Sequence, residues 1–228
     1  MIDKKMIKKT DWTAYYEKRK SWFSIHSQRY TLKILLDTID TYFSKEDGIK
    51  IAELGGGNSC FAKDICEIKR INTYDIIDNN EFAVNLFNHK KLNTKHHMGY
   101  LYDLLNSEGK DKSNDKKFDF VYSVGLIEHF RGNDIEKMIS QHFRYCKHNG
   151  IILITFPTPT LKYVFIRKCM EWIKVWQFHD ERPIKYEEVE DIFKKYGTVK
   201  RYFYNKKLPL TQMVVILENK CNNSYRSR

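Results

Sequence analysis

The sequence predicts an α/β fold, a mostly parallel sheet with helices on both faces and an antiparallel strand near its C-terminal end. Three observations lead there. From residue 49 onward, apolar runs of strand character alternate with segments of helical period. The first run, residues 49–54, stops at three consecutive glycines, a sharp turn of the kind that joins a buried strand to a helix. The last two runs, TVKRYFY and QMVVILE, are separated only by a loop, so one of them can close the sheet antiparallel to the rest.

Each element follows from its own pattern. After the glycines, Phe61, Ile65 and Ile68 fall at helical spacing, with Asn58 or Ser59 placed to cap that helix. INTYDII (71–77) reads as the second strand, EFAVNLFNHK as the second helix, and a short third strand is expected near residues 94–100. NSEGKDKSNDKK (106–117) has no apolar period and reads as a surface loop. FDFVYSV (118–124) is the fourth strand. In the helix behind it Ile135, Met138, Ile139, His142, Phe143 and Cys146 share one face, with Asn149-Gly150 as its stop. GIILITF reads as a fully buried fifth strand, and Val189, Ile192, Phe193 and Tyr196 mark a last helix stopped by Gly197.

Two segments stand outside the alternation. Residues 1–48 carry Trp12, Tyr15, Tyr16, Trp22, Phe23 and Tyr30 on helical stretches too small to fold alone, and are expected to cap the core. Residues 158–183 form an insertion after the fifth strand, rich in aromatics (Tyr163, Phe165, Trp172, Trp176, Phe178). The single domain thus divides into the cap, a core at 49–157, the insertion, and a C-terminal helix and strand pair at 184–220. In open α/β sheets ligands bind beyond the carboxyl ends of the strands, where cap and insertion can both serve as lids.

The totals bound the function. With 228 residues, 42% hydrophobic content and 4 Trp, 15 Tyr and 14 Phe, the chain is a globular domain rather than a disordered one. Five widely spread cysteines without a Cys-x-x-Cys pair indicate neither a disulfide framework nor a zinc site. The N-terminus lacks a secretory apolar core and no stretch is long enough to span a bilayer. A cytoplasmic protein is therefore expected. Lys plus Arg exceed Asp plus Glu by 40 − 29 = 11. The excess is scattered, without a basic run interleaved with aromatics, so stable nucleic-acid binding is not expected, while an anionic small-molecule acceptor is welcome.

The glycines sit in IAELGGGNS. A dinucleotide fingerprint would need a glycine at Cys60, and Glu53 would repel a pyrophosphate. An acid at this turn suits instead a ligand carrying an ammonium and a sulfonium, as S-adenosylmethionine (SAM) does. Here the chain resembles the class I SAM-dependent methyltransferases, a Rossmann-like fold with a seven-stranded sheet. Their first motif, an acid, one residue, then Gly-x-Gly, matches Glu53, Gly55 and Gly57, with Gly56 between them and Ser59 where a third glycine often stands. The resemblance implies an acid at the end of the second strand for the ribose hydroxyls: Asp78, followed by Asn79, with Asp75 as the fallback. It implies Tyr100 and Leu101 at the end of the third strand, near the adenine, without the acid usual there. FDFVYSVGLIEHF resembles the fourth-strand motif and implies Ser123 and Val124 beside the methionine part.

Methyl transfer to a hydroxyl needs an aligned acceptor, a dry site and a base. Glu128-His129, just past the fourth strand, stands where acceptor and methyl group would meet, and His129 is mostly neutral at physiological pH. FHDERP (178–183) adds His179, Asp180, Glu181 and Arg182, which read either as acceptor contacts, with Arg182 on a phosphate, or as a capped loop with a local salt bridge. His129 and His179, with Glu128, are the candidate catalytic residues. Relatives with Glu-x-x-Glu-His at this point hold a divalent metal, but Gly125 occupies the first acidic place, and no metal is expected. DWTAYYEKRKSWF, GGGNS, YDIIDNN, LIEHF, DERP and LPLTQ together resemble small bacterial methyltransferases of surface-polysaccharide and lipopolysaccharide synthesis. That implies O-methylation of a sugar or of a nucleotide-linked or phosphorylated precursor. The rival readings are a lipid or quinone acceptor reached by peripheral membrane contact, because LKYVFIRKCMEWIKVWQF mixes Trp and Phe with Lys and Arg, an RNA acceptor, and a SAM-binding protein without activity.

Overall fold

A computed structural model describes residues 9–17, 22–44, 48–106, 117–207 and 210–220, with 22–26 by backbone alone. Residues 107–116 of the expected loop, the side chains of Trp22 and Phe23, and Cys221 lie outside the described residues. Seven strands form one sheet: β1 (Ile49–Leu54), β2 (Ile71–Asp78), β3 (His96–Leu101), β4 (Phe118–Val124), β5 (Cys146–Pro157), β6 (Thr198–Asn205) and β7 (Gln212–Glu218). Their order is β3-β2-β1-β4-β5-β7-β6. The pairs among β1 to β5 are parallel, and β7 runs antiparallel to both β5 and β6. The fold class read from the sequence is the fold observed.

Strands buried on both faces need apolar residues at successive positions, and each face then collects alternate side chains. Ala52, Leu54, Val121, Ile152, Ile154, Val215 and Leu217 form one core with Ile135, Met138, Ile139 and Phe143 of helix α5 (Asn133–Tyr145) and Phe193 of α7 (Glu190–Tyr196). Ile51, Tyr74, Ile76, Phe120, Tyr122 and Leu153 form the other. Against them pack Leu35 and Ile39 of α2 (Trp22–Tyr42), Ile65 of α3 (Ala62–Ile68), and Val84 and Phe87 of α4 (Glu81–Asn88). Glu53 lies on this second face, among Tyr74 and Tyr122.

Local chemistry sets the helix starts. The Ser59 hydroxyl accepts from the Ala62 amide at 3.1 Å where α3 begins, and Asn80 caps α4 by accepting from Ala83. One boundary differs from expectation. Helix α5 ends at Tyr145 rather than at Asn149, because Cys146 already pairs with Phe118 and opens β5 through an irregular register. Asn149 adopts φ 59°, and its amide donates to the Asn219 carbonyl at 2.9 Å, so Asn149-Gly150 is a kink inside a strand.

The strand order reverses between β1 and β4, so a crevice opens beyond their carboxyl ends. Two segments flank it: α1 (Trp12–Glu17) of the cap, and the insertion with α6 (Leu161–Trp172), capped by Thr160. No helix among the described residues is long and apolar enough to cross a membrane.

Candidate active site

The turn after β1 is built to bring bare backbone to the crevice. Gly55 and Gly57 hold φ of 65° and 50°, which side chains beyond glycine resist. The space is closed as well: a Cβ on Gly55 would lie 2.5 Å from Leu126, and one on Gly57 1.9 Å from the Tyr16 hydroxyl of α1. Gly56 lies on the Glu53 side chain, whose Oε2 accepts from the Tyr74 hydroxyl at 2.8 Å. Burial pushes the Glu53 carboxyl above its ordinary range, against hydrogen bonds from Ser59, Tyr74 and Tyr122. The first motif acid therefore props the turn from beneath.

Asp78 ends β2 directly beside this turn. Its Oδ2 accepts from the Gly57 amide and its Oδ1 from the Asn80 amide, both at 2.8 Å. Those two bonds fix the carboxylate and leave acceptor positions on its oxygens. Burial raises its pKa, and the neighbouring amides pull it down. Asp75, the fallback, is fully buried inside the sheet beside His96, at 3.7 Å. An anchored acid at the strand end and a left-handed glycine turn fit the ribose and amino-acid ends of SAM.

The second cluster lies past β4. A short 3-10 turn, Ile127–His129, carries Glu128 and His129. His129 Nδ1 meets Asp180 Oδ1 at 3.0 Å, and the Thr10 hydroxyl hydrogen-bonds the same oxygen. The Trp12 ring stands edge-on to the imidazole at 5.1 Å, and Phe178 lies 6.5 Å away. Burial lowers the His129 pKa and outweighs the opposing pull of Asp180. Burial alone would raise Asp180, yet the Thr10 bond and His129 hold it below the ordinary carboxylate range. The result is a neutral imidazole with Nδ1–H on a carboxylate and Nε2 without a partner among the described residues. That is the arrangement of a general base.

Glu128 is 2% exposed, and its Oε2 has no hydrogen-bond partner among the described residues. Burial and then the nearby Glu181 push its carboxyl far above the usual range, so it carries a proton. Glu181 bonds Tyr163, which with Arg167 ties α6 to this corner.

The remaining candidates scatter. Asn79 is exposed beside Asp78; Tyr100 packs on the core and Leu101 lies exposed at the end of β3. Ser123 is turned into the core, where its hydroxyl bonds His142 Nε2 at 2.8 Å, while Val124 packs on the opposite core. His179 lines an adjoining cleft of about 800 Å³ with Lys9, Asp11, Arg167 and Lys174. Arg182 pairs with Glu188 at 2.6 Å, the local salt bridge of the two readings. Sequence reasoning missed Thr10, Trp12 and Tyr16 as site residues and read Asp180 as an acceptor contact or loop residue, not as the partner of His129. The aromatic DWTAYYE stretch was a signal for the first group; nothing in the chain pairs Thr10 with Asp180, 170 positions apart.

Comparison with known proteins bears on the family and the fold. The chain is 31% identical over 153 residues to the ubiquinone biosynthesis O-methyltransferase of Pelagibacter ubique (strain HTCC1062), a match spanning 64% of this chain and 60% of that protein's length. Its fold is similar to that of magnesium protoporphyrin IX methyltransferase from Synechocystis PCC 6803 with bound S-adenosylhomocysteine (SAH). The TM-score is 0.68 at 12% identity, covering 92% of this chain and 93% of that one. The N-methyltransferase NodS of Bradyrhizobium japonicum WM9, also with SAH, matches with a TM-score of 0.59 at 12% identity over 88% and 89% of the two chains. The profile of the methyltransferase domain family matches residues 25–198. With that match over most of its length, the chain belongs to the methyltransferase domain family, and its fold is the Rossmann-like one of these solved methyltransferases.

Proposed function

We propose that the protein methylates a hydroxyl oxygen of a small polar acceptor, a sugar or a nucleotide-linked or phosphorylated precursor of a bacterial surface polysaccharide. The observation that carries the choice of oxygen is the His129–Asp180 pair at 3.0 Å. An alcohol holds its proton far more tightly than a phenol or thiol, and a neutral amine attacks before losing one, so methylation of an alcohol calls for a base. The cofactor supplies an electrophilic methyl group when bound. His129 Nε2 takes the hydroxyl proton as the oxygen becomes nucleophilic, and Asp180 keeps Nδ1–H in place and stabilises the imidazolium that forms. Trp12 and Phe178 shield the imidazole from water, which strengthens that pairing. Asp78, Asn79 and the Gly55-Gly56-Gly57 turn hold the cofactor, with Glu53 as their support.

The acceptor class is supported by the resemblance carried by DWTAYYEKRKSWF, GGGNS, LIEHF and DERP, and by the cleft beside the base, where the cations Lys9, Arg167 and Lys174 outnumber the acids Asp11 and Glu171. A lipid or quinone acceptor is the second reading, favoured by the apolar outer side of α6 and by the named activity of the Pelagibacter relative. Incubation with methyl-labelled SAM and two fractions of a bacterial extract, polar nucleotide sugars and total lipid, separates them. Label in the polar fraction, lost with His129→Gln, is expected. Label in the lipid fraction alone moves the acceptor to the second reading. Label that persists undiminished in His129→Gln removes the base.

A further inference from the structure

We propose that the outer face of α6 docks on an anionic lipid bilayer. Leu161, Val164, Phe165, Lys168 and Trp172 follow one another at spacings of three, one, three and four, which places them in one stripe along the helix. The stripe faces away from the protein: Leu161 is 92%, Phe165 70% and Trp172 85% exposed, and Ile173, just past the helix, is exposed as well. Side chains of this size scattered singly over a surface need no explanation, but a contiguous row does.

The inner face of the helix explains why the row cannot turn inward. Tyr163 is buried with its hydroxyl on Glu181, and Arg167 bonds the Tyr163 hydroxyl, the Glu181 carbonyl and Glu171, while its guanidinium stands over the Trp176 ring at 4.8 Å. Two polar contacts to Glu181 and the Trp176 ring anchor one side and leave the other to solvent.

Charge selects the occupant. Between Leu161 and Val175 stand Lys162, Arg167, Lys168 and Lys174 against one acid, Glu171, which Arg167 already engages at 2.8 Å. Lys206 joins them where the Lys162 ammonium reaches its carbonyl at 3.2 Å. Lysines beside exposed Trp, Phe and Leu match a bilayer with acidic headgroups, since long cationic side chains reach the headgroups while the rings enter the acyl boundary. The same excess of cations opposes pairing with a second copy of this face. Docked this way, the corner that holds Glu128 and Glu181 lies on the membrane side of the molecule, one helix away from the lipid.

Sedimentation with vesicles of phosphatidylcholine alone, and of phosphatidylcholine with about a third phosphatidylglycerol, tests the proposal. The full chain is expected to pellet with the anionic vesicles, and Phe165→Ser/Trp172→Ser to lose at least about tenfold of that binding. Lys162→Gln/Lys168→Gln should lose the preference for anionic lipid. Absence of wild-type binding, or binding untouched by the double variant, overturns it, as does a wild-type dimer that dissociates in the double variant. None of these readouts uses SAM or an acceptor. The variants should bind SAM as the wild type does, which separates failure here from failure of the proposed reaction.

Discussion

Replacing Asp180 with asparagine keeps the size of the side chain and its contact with Thr10 but removes the charge that faces His129. A carboxylate and an imidazolium with charge centres about 4 Å apart interact by about 4 kcal/mol at an effective dielectric of about 20. At about 1.36 kcal/mol per pH unit that is a ceiling of about 3 units. The Asp180 side chain is 19% exposed and the imidazole 9%, so water screens part of the pair, and a shift of about 1–2 units is expected. Its direction follows from the site. Burial already pulls the His129 pKa below its ordinary value and Asp180 is what opposes it, so Asp180→Asn lowers the pKa further. Nitrogen-detected NMR of the labelled imidazoles across pH 4–8 reads this without any acceptor. Among the 8 histidines the His129 signal is the one lost in His129→Gln. Wild-type His129 should titrate below about 6.5 with its proton on Nδ1 when neutral. In Asp180→Asn the midpoint falls and the tautomer preference weakens. Titration at or above about 6.5, or a midpoint unmoved by Asp180→Asn, refutes the assignment of His129 as a base poised by Asp180.

Three further outcomes follow from the same geometry. Asp78→Ala should weaken SAM binding at least about tenfold by calorimetry, because a fixed charged acceptor is lost, and tight binding of NAD in place of SAM would contradict the cradle. Gly57→Ala meets both a left-handed backbone and the Tyr16 hydroxyl; strain of about 1–2 kcal/mol predicts a Tm lower by about 2–8 °C, and an unchanged Tm would show that the turn relaxes freely. His142 is fully buried between the Met138 carbonyl and Ser123, and burial lowers its pKa to about 4. The unfolded chain takes up this proton near pH 6.5 and the folded chain only near the lower value, so stability falls as pH drops through that window. About 3 kcal/mol is lost in all, and denaturant unfolding at pH 7 and 5 should show a flatter dependence in His142→Gln.

How much was legible in the chain follows the range of the interactions. Apart from β3, expected only as a short strand near residues 94–100, the strands announced themselves by apolar runs, and Glu53, the glycines and Asp78 stand at the ends of β1 and β2 because strand, turn and helix are local features. Local pattern erred where pairing took over: Cys146 continues the apolar face of α5, yet its backbone belongs to β5 through Phe118. It was blind to side-chain direction as well. Ser123 lies at the expected strand end, but its hydroxyl is spent on His142 in the core. Glu53, expected to attract a cation by its charge, is instead buried against Tyr74. The partners of His129 come from residues 10, 12, 178 and 180, which no spacing connects before the chain folds.

Those partners also set an order of events. Residues 10–16 reach two places at once: Tyr16 closes over Gly57, while Thr10 and Trp12 hold Asp180 and His129. Asn80, whose amide donates to Asp78, is joined to Thr13 of the same helix at 3.0 Å. On the roles proposed above for the glycine turn and His129, displacing this short helix to exchange cofactor would also strip the histidine of its support, so proton abstraction would be tied to closure of the site.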